Sequence, residues 1–111
     1  MICFILSNHI PYKTLLSALG KVFAEARSKN IQHIHLITIG LDTKTIFEEY
    51  RDCITQSIDV GLRLYIENDP HKVSRIIKSY CRDIYVHIQD TRARNYIKDL
   101  DLKDVKLLVI E

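Results

Sequence analysis

At 111 residues the chain has the length of one domain and too little for two. Hydrophobic residues make up 47% and charged residues 27%, with only 3 Gly and 2 Pro, which excludes collagen-like, low-complexity and disordered chains. A formal net charge of +2 is no signature of a dedicated nucleic-acid binder, although Asp69 to Lys98 hold seven Lys or Arg against three Asp.

Five short apolar runs rich in β-branched residues alternate with four segments of helical period. The first run, Ile2–Ser7, leads into a helix expected from about Thr14 to Ser28, with Leu15, Leu16, Leu19, Val22, Phe23 and Ala26 on one stripe. The second run, Ile31–Ile39, precedes a helix that starts after Asp42 and carries Ile46, Phe47, Tyr50, Cys53 and Ile54. Leu62–Glu67 follows, then Asp69-Pro70, an acid suited to the N-cap and a proline suited to the first helical position. The stripe of this third helix is Val73, Ile76, Ile77 and Tyr80. Ile84–Ile88 is the fourth run, and a shorter helix from Thr91 to about Leu100 turns Ala93, Tyr96, Ile97 and Leu100 inward. Val105–Ile110 closes the pattern.

Several of these runs are apolar at nearly every position, which suits strands covered on both faces. Strict alternation with short connections predicts a single Rossmann-like, doubly wound α/β domain over residues 1–111. It would have about five mainly parallel strands, four helices and right-handed crossovers. Cys3, Cys53 and Cys81 are odd in number, widely spaced and without a CxxC pair. That argues against a disulfide framework and for a reducing compartment, with Cys3 and Cys53 acting as small hydrophobes. Met1–Leu6 is too short for a signal h-region, and no stretch approaches 18 apolar residues, so the expected location is the cytoplasm with no membrane partner.

Open parallel sheets bind ligands beyond the carboxyl ends of their strands, above all where the strand order reverses. With the order 3-2-1-4-5, strands one and four flank that reversal. Ser7, Asn8, His9 and Lys13 would line one side of the crevice, and Gln89, Asp90, Thr91, Arg92 and Arg94 the other. Helix-start amides with Lys13, Arg92 and Arg94 suit a phosphate-bearing ligand. The competing reading is that Asp90 or Thr91 caps the last helix and the arginines are solvated. No GxGxxG or Walker lysine motif is present, which argues against ordinary dinucleotide or P-loop NTP binding, and no cofactor is expected.

His33-Ile34-His35 places two imidazoles on one face of the second strand, a pair able to share a metal. With Tyr80 in Ser79-Tyr80-Cys81-Arg82, it looks like the His-hydrophobe-His motif and helical tyrosine nucleophile of rolling-circle and transposon endonucleases. Those enzymes place an antiparallel hairpin before the His strand, whereas here the first helix runs straight into Ile31. The histidines also start their strand, opposite the expected crevice, and Tyr80 falls on an apolar stripe.

The layout resembles the CARF domains, Rossmann-like sensors of cyclic oligoadenylates in CRISPR-linked defence. Four segments carry the resemblance: Ser7-Asn8-His9-Ile10-Pro11, Ile39-Gly40-Leu41-Asp42-Thr43, Tyr65-Ile66-Glu67-Asn68-Asp69 and Ile88-Gln89-Asp90-Thr91-Arg92-Ala93-Arg94. The resemblance implies a homodimer with the ligand across its two-fold axis, serving as a stand-alone sensor, a ring nuclease or a sequestering protein. The expected ligand-binding residues are Asn8, His9, Lys13, Asp90, Thr91, Arg92 and Arg94. Whether the chain is an enzyme is left open. Two other classes stand beside this one. One is a non-catalytic regulatory or interaction protein, virus- or plasmid-encoded. The other is a metal-dependent single-strand DNA endonuclease built on His33, His35 and Tyr80.

Overall fold

The computed structural model describes residues 1–8, 10–40, 48, 60–67 and 69–111. Five strands, β1 (Ile2–Leu6), β2 (His33–Ile39), β3 (Gly61–Glu67), β4 (Asp83–His87) and β5 (Lys106–Ile110), form one sheet in the order β3-β2-β1-β4-β5. Every neighbouring pair is parallel. Among the described residues there are three helices, α1 (Tyr12–Ser28), α2 (Pro70–Tyr80) and α3 (Thr91–Asp99). The predicted helix bearing Ile46, Phe47, Tyr50, Cys53 and Ile54 lies outside the described residues.

The central position of β1 follows from its composition. All five of its residues are buried, which only a strand flanked on both edges and covered on both faces can achieve. Alternation then divides the core in two. Ile2, Phe4 and Leu6 join Ile34, Leu36 and Tyr85 beneath the α1 residues Leu15, Leu19, Val22 and Phe23. Cys3 and Ile5 join Ile37, Ile39, Ile84 and Val86 beneath Val73 and Ile77 of α2 and Ala93 and Ile97 of α3. Helices therefore cover both faces of the sheet, and none among the described residues is long and apolar enough to cross a membrane.

Observed boundaries differ from the sequence reading where backbone hydrogen bonds decide. The second strand begins at His33 rather than Ile31, because the Ile31 amide donates to the Ala26 carbonyl (2.9 Å) and finishes the end of α1. Asn30 makes that turn at φ 55°, a conformation asparagine tolerates well. Helix α1 starts at Tyr12, two residues before the expected Thr14, with Pro11 at its N-cap and no side-chain cap. Tyr80 does not continue the buried stripe of α2: it is the last residue of the helix and 60% exposed, while the next residue, Cys81, is the one buried against the sheet.

The larger correction concerns the cysteines. Cys3 and Cys81 are joined in a disulfide, their Cα atoms 5.8 Å apart and 78 residues apart in sequence. Spacing carried no sign of it: β1 and the C-cap of α2 meet only once the crossover has brought that helix back to the start of the central strand. Reduction of this bond in the intact chain is expected to lower the unfolding free energy by about 4 kcal/mol, given the length of the loop it closes. Urea denaturation with and without reductant measures the difference.

Candidate functional site

The sheet order reverses beside β1, where the chain turns one way into α1 and β2 while β4 lies on the other side. At the carboxyl edge of these two strands the loop after β1 meets the first turn of α3, and one residue joins them. Asp90 is fully buried. Its Oδ2 accepts from the Ser7 amide (2.7 Å) and the Asn8 amide (3.4 Å). Its Oδ1 accepts from the Ser7 hydroxyl (2.5 Å) and from the Ala93 amide (3.1 Å). The last of these bonds makes Asp90 the N-cap of α3. Its carboxylate is thus committed to holding the loop against the helix rather than presented to a ligand.

Next to this knot an open cleft of about 560 Å³ lies between α2 and α3, lined by Ser7, Ile39, Pro70, Arg92, Asn95, Tyr96 and Asp99. Arg92, Asn95, Tyr96 and Asp99 stand at i, i+3, i+4 and i+7 along α3, so one helical stripe forms a whole wall. The Tyr96 hydroxyl donates to the Pro70 carbonyl (2.7 Å), bridging α3 to the first turn of α2. Burial, reinforced by the nearby Asp69 carboxylate, pushes the Tyr96 phenol above its usual range, so it stays a neutral donor. Asp69 caps α2 through the His71 amide (2.9 Å), as its place before Pro70 suggested.

Of the sequence-predicted ligand residues, Arg92 lines this cleft, while Asp90 fixes its rim. Asn8 is half-buried beside Asp90, to which its amide donates. Thr91 is exposed at the start of α3. Lys13 is exposed in the first turn of α1, the helix on the opposite face of the sheet. Arg94 is half-buried, and its shielded Nε has no hydrogen-bond partner among the described residues. Neither Lys13 nor Arg94 lines the cleft. His9 lies outside the described residues. Sequence reasoning passed over Ile39, Pro70, Asn95, Tyr96 and Asp99; the polar stripe spaced 3-1-3 through Thr91–Asp99 was the one signal available.

The histidine pair sits at the other edge. His33 is exposed at the start of β2 and lies over Gly61, where any side chain would collide with its ring. His35 is 5% exposed, stacked on Tyr65 with ring centroids 5.5 Å apart. Among the described residues no group of three or more His, Cys, Asp or Glu is placed to hold a metal. Nor is β2 part of an antiparallel hairpin, since both its neighbours run parallel to it.

No protein-family model, curated protein or solved structure matches the chain.

Two outcomes follow from this geometry. Asp90→Ala removes the cap and the partners of Ser7, and is expected to cost about 3 kcal/mol in urea denaturation, because buried donors lose a charged acceptor. Burial, with smaller contributions from Arg63 and His33, holds the His35 imidazole below its ordinary value of 6.5. The unfolded chain therefore binds the extra proton first, and stability is lost as pH falls below about 6.5. His35→Gln should remove that part of the decline, measured as the difference between the two pH–stability curves.

Proposed function

We propose that this chain is a Rossmann-like ligand-binding domain for a phosphate-bearing nucleotide, acting in the cytoplasm as a homodimer. The observation that carries the reading is the cleft at the sheet reversal, where the Arg92 guanidinium stands one helical turn from the Tyr96 ring and across from Ser7. A guanidinium matches a phosphate with two parallel hydrogen bonds, and an aromatic ring offers a face to a base or ribose. Asn95 can donate to and accept from a base edge, and Asp99 accepts from an exocyclic amine or a ribose hydroxyl. The remaining wall, Ile39 and Pro70, is apolar, the mixture usual in small-molecule sites.

The resemblance to CARF domains supplies the ligand class, a cyclic oligoadenylate. A cleft of about 560 Å³ suits one nucleotide unit, so a ring of several would be shared by two copies of the chain. In this reading Arg92 neutralises phosphate, while Asp90 holds Ser7, Asn8 and the start of α3 in register with it. Asn8 and Thr91 would reach the ligand from the rim of the same sheet edge.

Thermal unfolding against cyclic oligoadenylates of different ring size, with linear oligonucleotides as controls, tests the proposal. Binding to the native state should raise stability by about 2.7 kcal/mol at a hundredfold excess over Kd. Arg92→Ala should weaken binding at least about tenfold, equivalent to the loss of 1.4 kcal/mol, while its unliganded unfolding stays at the wild-type temperature. Absence of any shift at millimolar ligand rejects the nucleotide reading and leaves the interaction protein as the leading class.

A further inference from the structure

We propose that Cys3 and Cys81 form a reversible thiol–disulfide site, with a dithiol as its exchange partner and His35 as the acceptor for the Cys3 thiol in the reduced state. The proposal is independent of the cleft, which lies at the opposite edge of the sheet.

The first observation is the place of the bond. It ties the second residue of the central strand to the C-cap of α2, and both cysteines are fully buried. The second is a buried ring nitrogen lacking a partner. Strand register sets His35 directly beside Cys3, and the side chains of both lie on the face covered by α2. His35 is 5% exposed, yet its Nδ1 has no hydrogen-bond partner among the described residues. A buried ring nitrogen left without a partner is costly, and with the imidazole proton on Nε2 this Nδ1 is an acceptor. The oxidised pair has no S–H to give it, whereas a reduced Cys3 has one. Burial also keeps this imidazole neutral, the form that accepts.

The third observation is that the helix end is held lightly apart from the disulfide. Helix α2 buries only Val73 and Ile77 completely, and its last residue, Tyr80, is 60% exposed. Beyond it the chain is pinned by amides of Arg82 (2.9 Å) and Asp83 (3.4 Å) donating to the Met1 carbonyl. Fraying at this point uncovers the Cys81 sulfur without disturbing the sheet. One thiolate of the dithiol then attacks the Cys81 sulfur, breaking the S–S bond and releasing Cys3 as thiolate. The second thiolate attacks the mixed disulfide and releases Cys81. Two electrons pass to the chain, two protons from solvent end on the two cysteine sulfurs, and the reductant leaves as its own disulfide.

The test equilibrates the folded 111-residue chain with dithiothreitol at graded oxidised-to-reduced ratios, traps thiols by alkylation, and reads them by intact mass and peptide mapping. Cys3 and Cys81 should acquire label together, lose that reactivity on reoxidation, and do so while circular dichroism stays native. Protection in the reduced chain should fall across the sheet in step with the lower global stability, and the last turn of α2 should exchange at least about tenfold faster than β1 and β4. His35→Phe should shift the half-reduction ratio about fivefold toward the disulfide, the effect of one lost hydrogen bond, and His35→Gln, which keeps an acceptor, should restore it. Label on both cysteines before any reductant is added overturns the proposal, as does reduction that occurs only with global unfolding. Identical ratios in the wild type and His35→Phe remove His35 from it.

Discussion

A single buried carboxylate governs the functional edge of this molecule. Asp90 accepts four hydrogen bonds, three from the loop after β1 and one from the first turn of α3, and so joins segments more than eighty residues apart. A buried charge persists only where its lone pairs are matched, and here backbone amides, a hydroxyl and the start of a helix match them. The cleft depends on this arrangement, because Ser7 lines it from the loop and Arg92, two residues after Asp90, lines it from the helix.

The opposite edge is organised by different chemistry. There the chain relies on a covalent bond between Cys3 and Cys81 and on Met1 carbonyl contacts to hold the turn from α2 into β4. Helix α2 is thus secured at its N-terminal end by polar contacts, the Asp69 cap and the Tyr96 bridge, and at its C-terminal end by sulfur. Its apolar face alone is narrow, with two fully buried residues in eleven. The same helix supplies Pro70 to the cleft wall, so the two edges share a structural element while performing separate tasks.

Placement of the cleft on the α2–α3 face explains why candidates drawn from the carboxyl ends of all strands divide as they do. Residues after β4 lead into α3 and arrive at the cleft, whereas Lys13 belongs to the helix covering the other face. Helical geometry turns Arg92 and Tyr96 toward the same side, while Arg94 lies 200° from Arg92 around the axis at 100° per residue. Proximity in sequence to the right loop is therefore not enough; the angular position on the helix selects which cation faces the cleft.

The alternation of apolar runs and helical stripes determined the α/β class and the parallel sheet, because these rest on local periodicity and on the handedness of crossovers. The order β3-β2-β1-β4-β5, one arrangement the sequence admitted, was decided by which strands pair. Asp69-Pro70 announced its cap, since a cap is chosen by residues within three positions of it, whereas at Asp90-Thr91 capping stood only as the competing reading beside ligand binding. What the sequence left open depends on contacts between distant segments. The Ser7–Asp90 knot, the Tyr96–Pro70 bridge and the Cys3–Cys81 bond each join residues that come together only when the crossovers close. Tyr80 shows the same limit from the other side: its spacing matched the buried stripe, but it ends the helix exposed while Cys81 after it is buried, and burial is a property of what lies opposite.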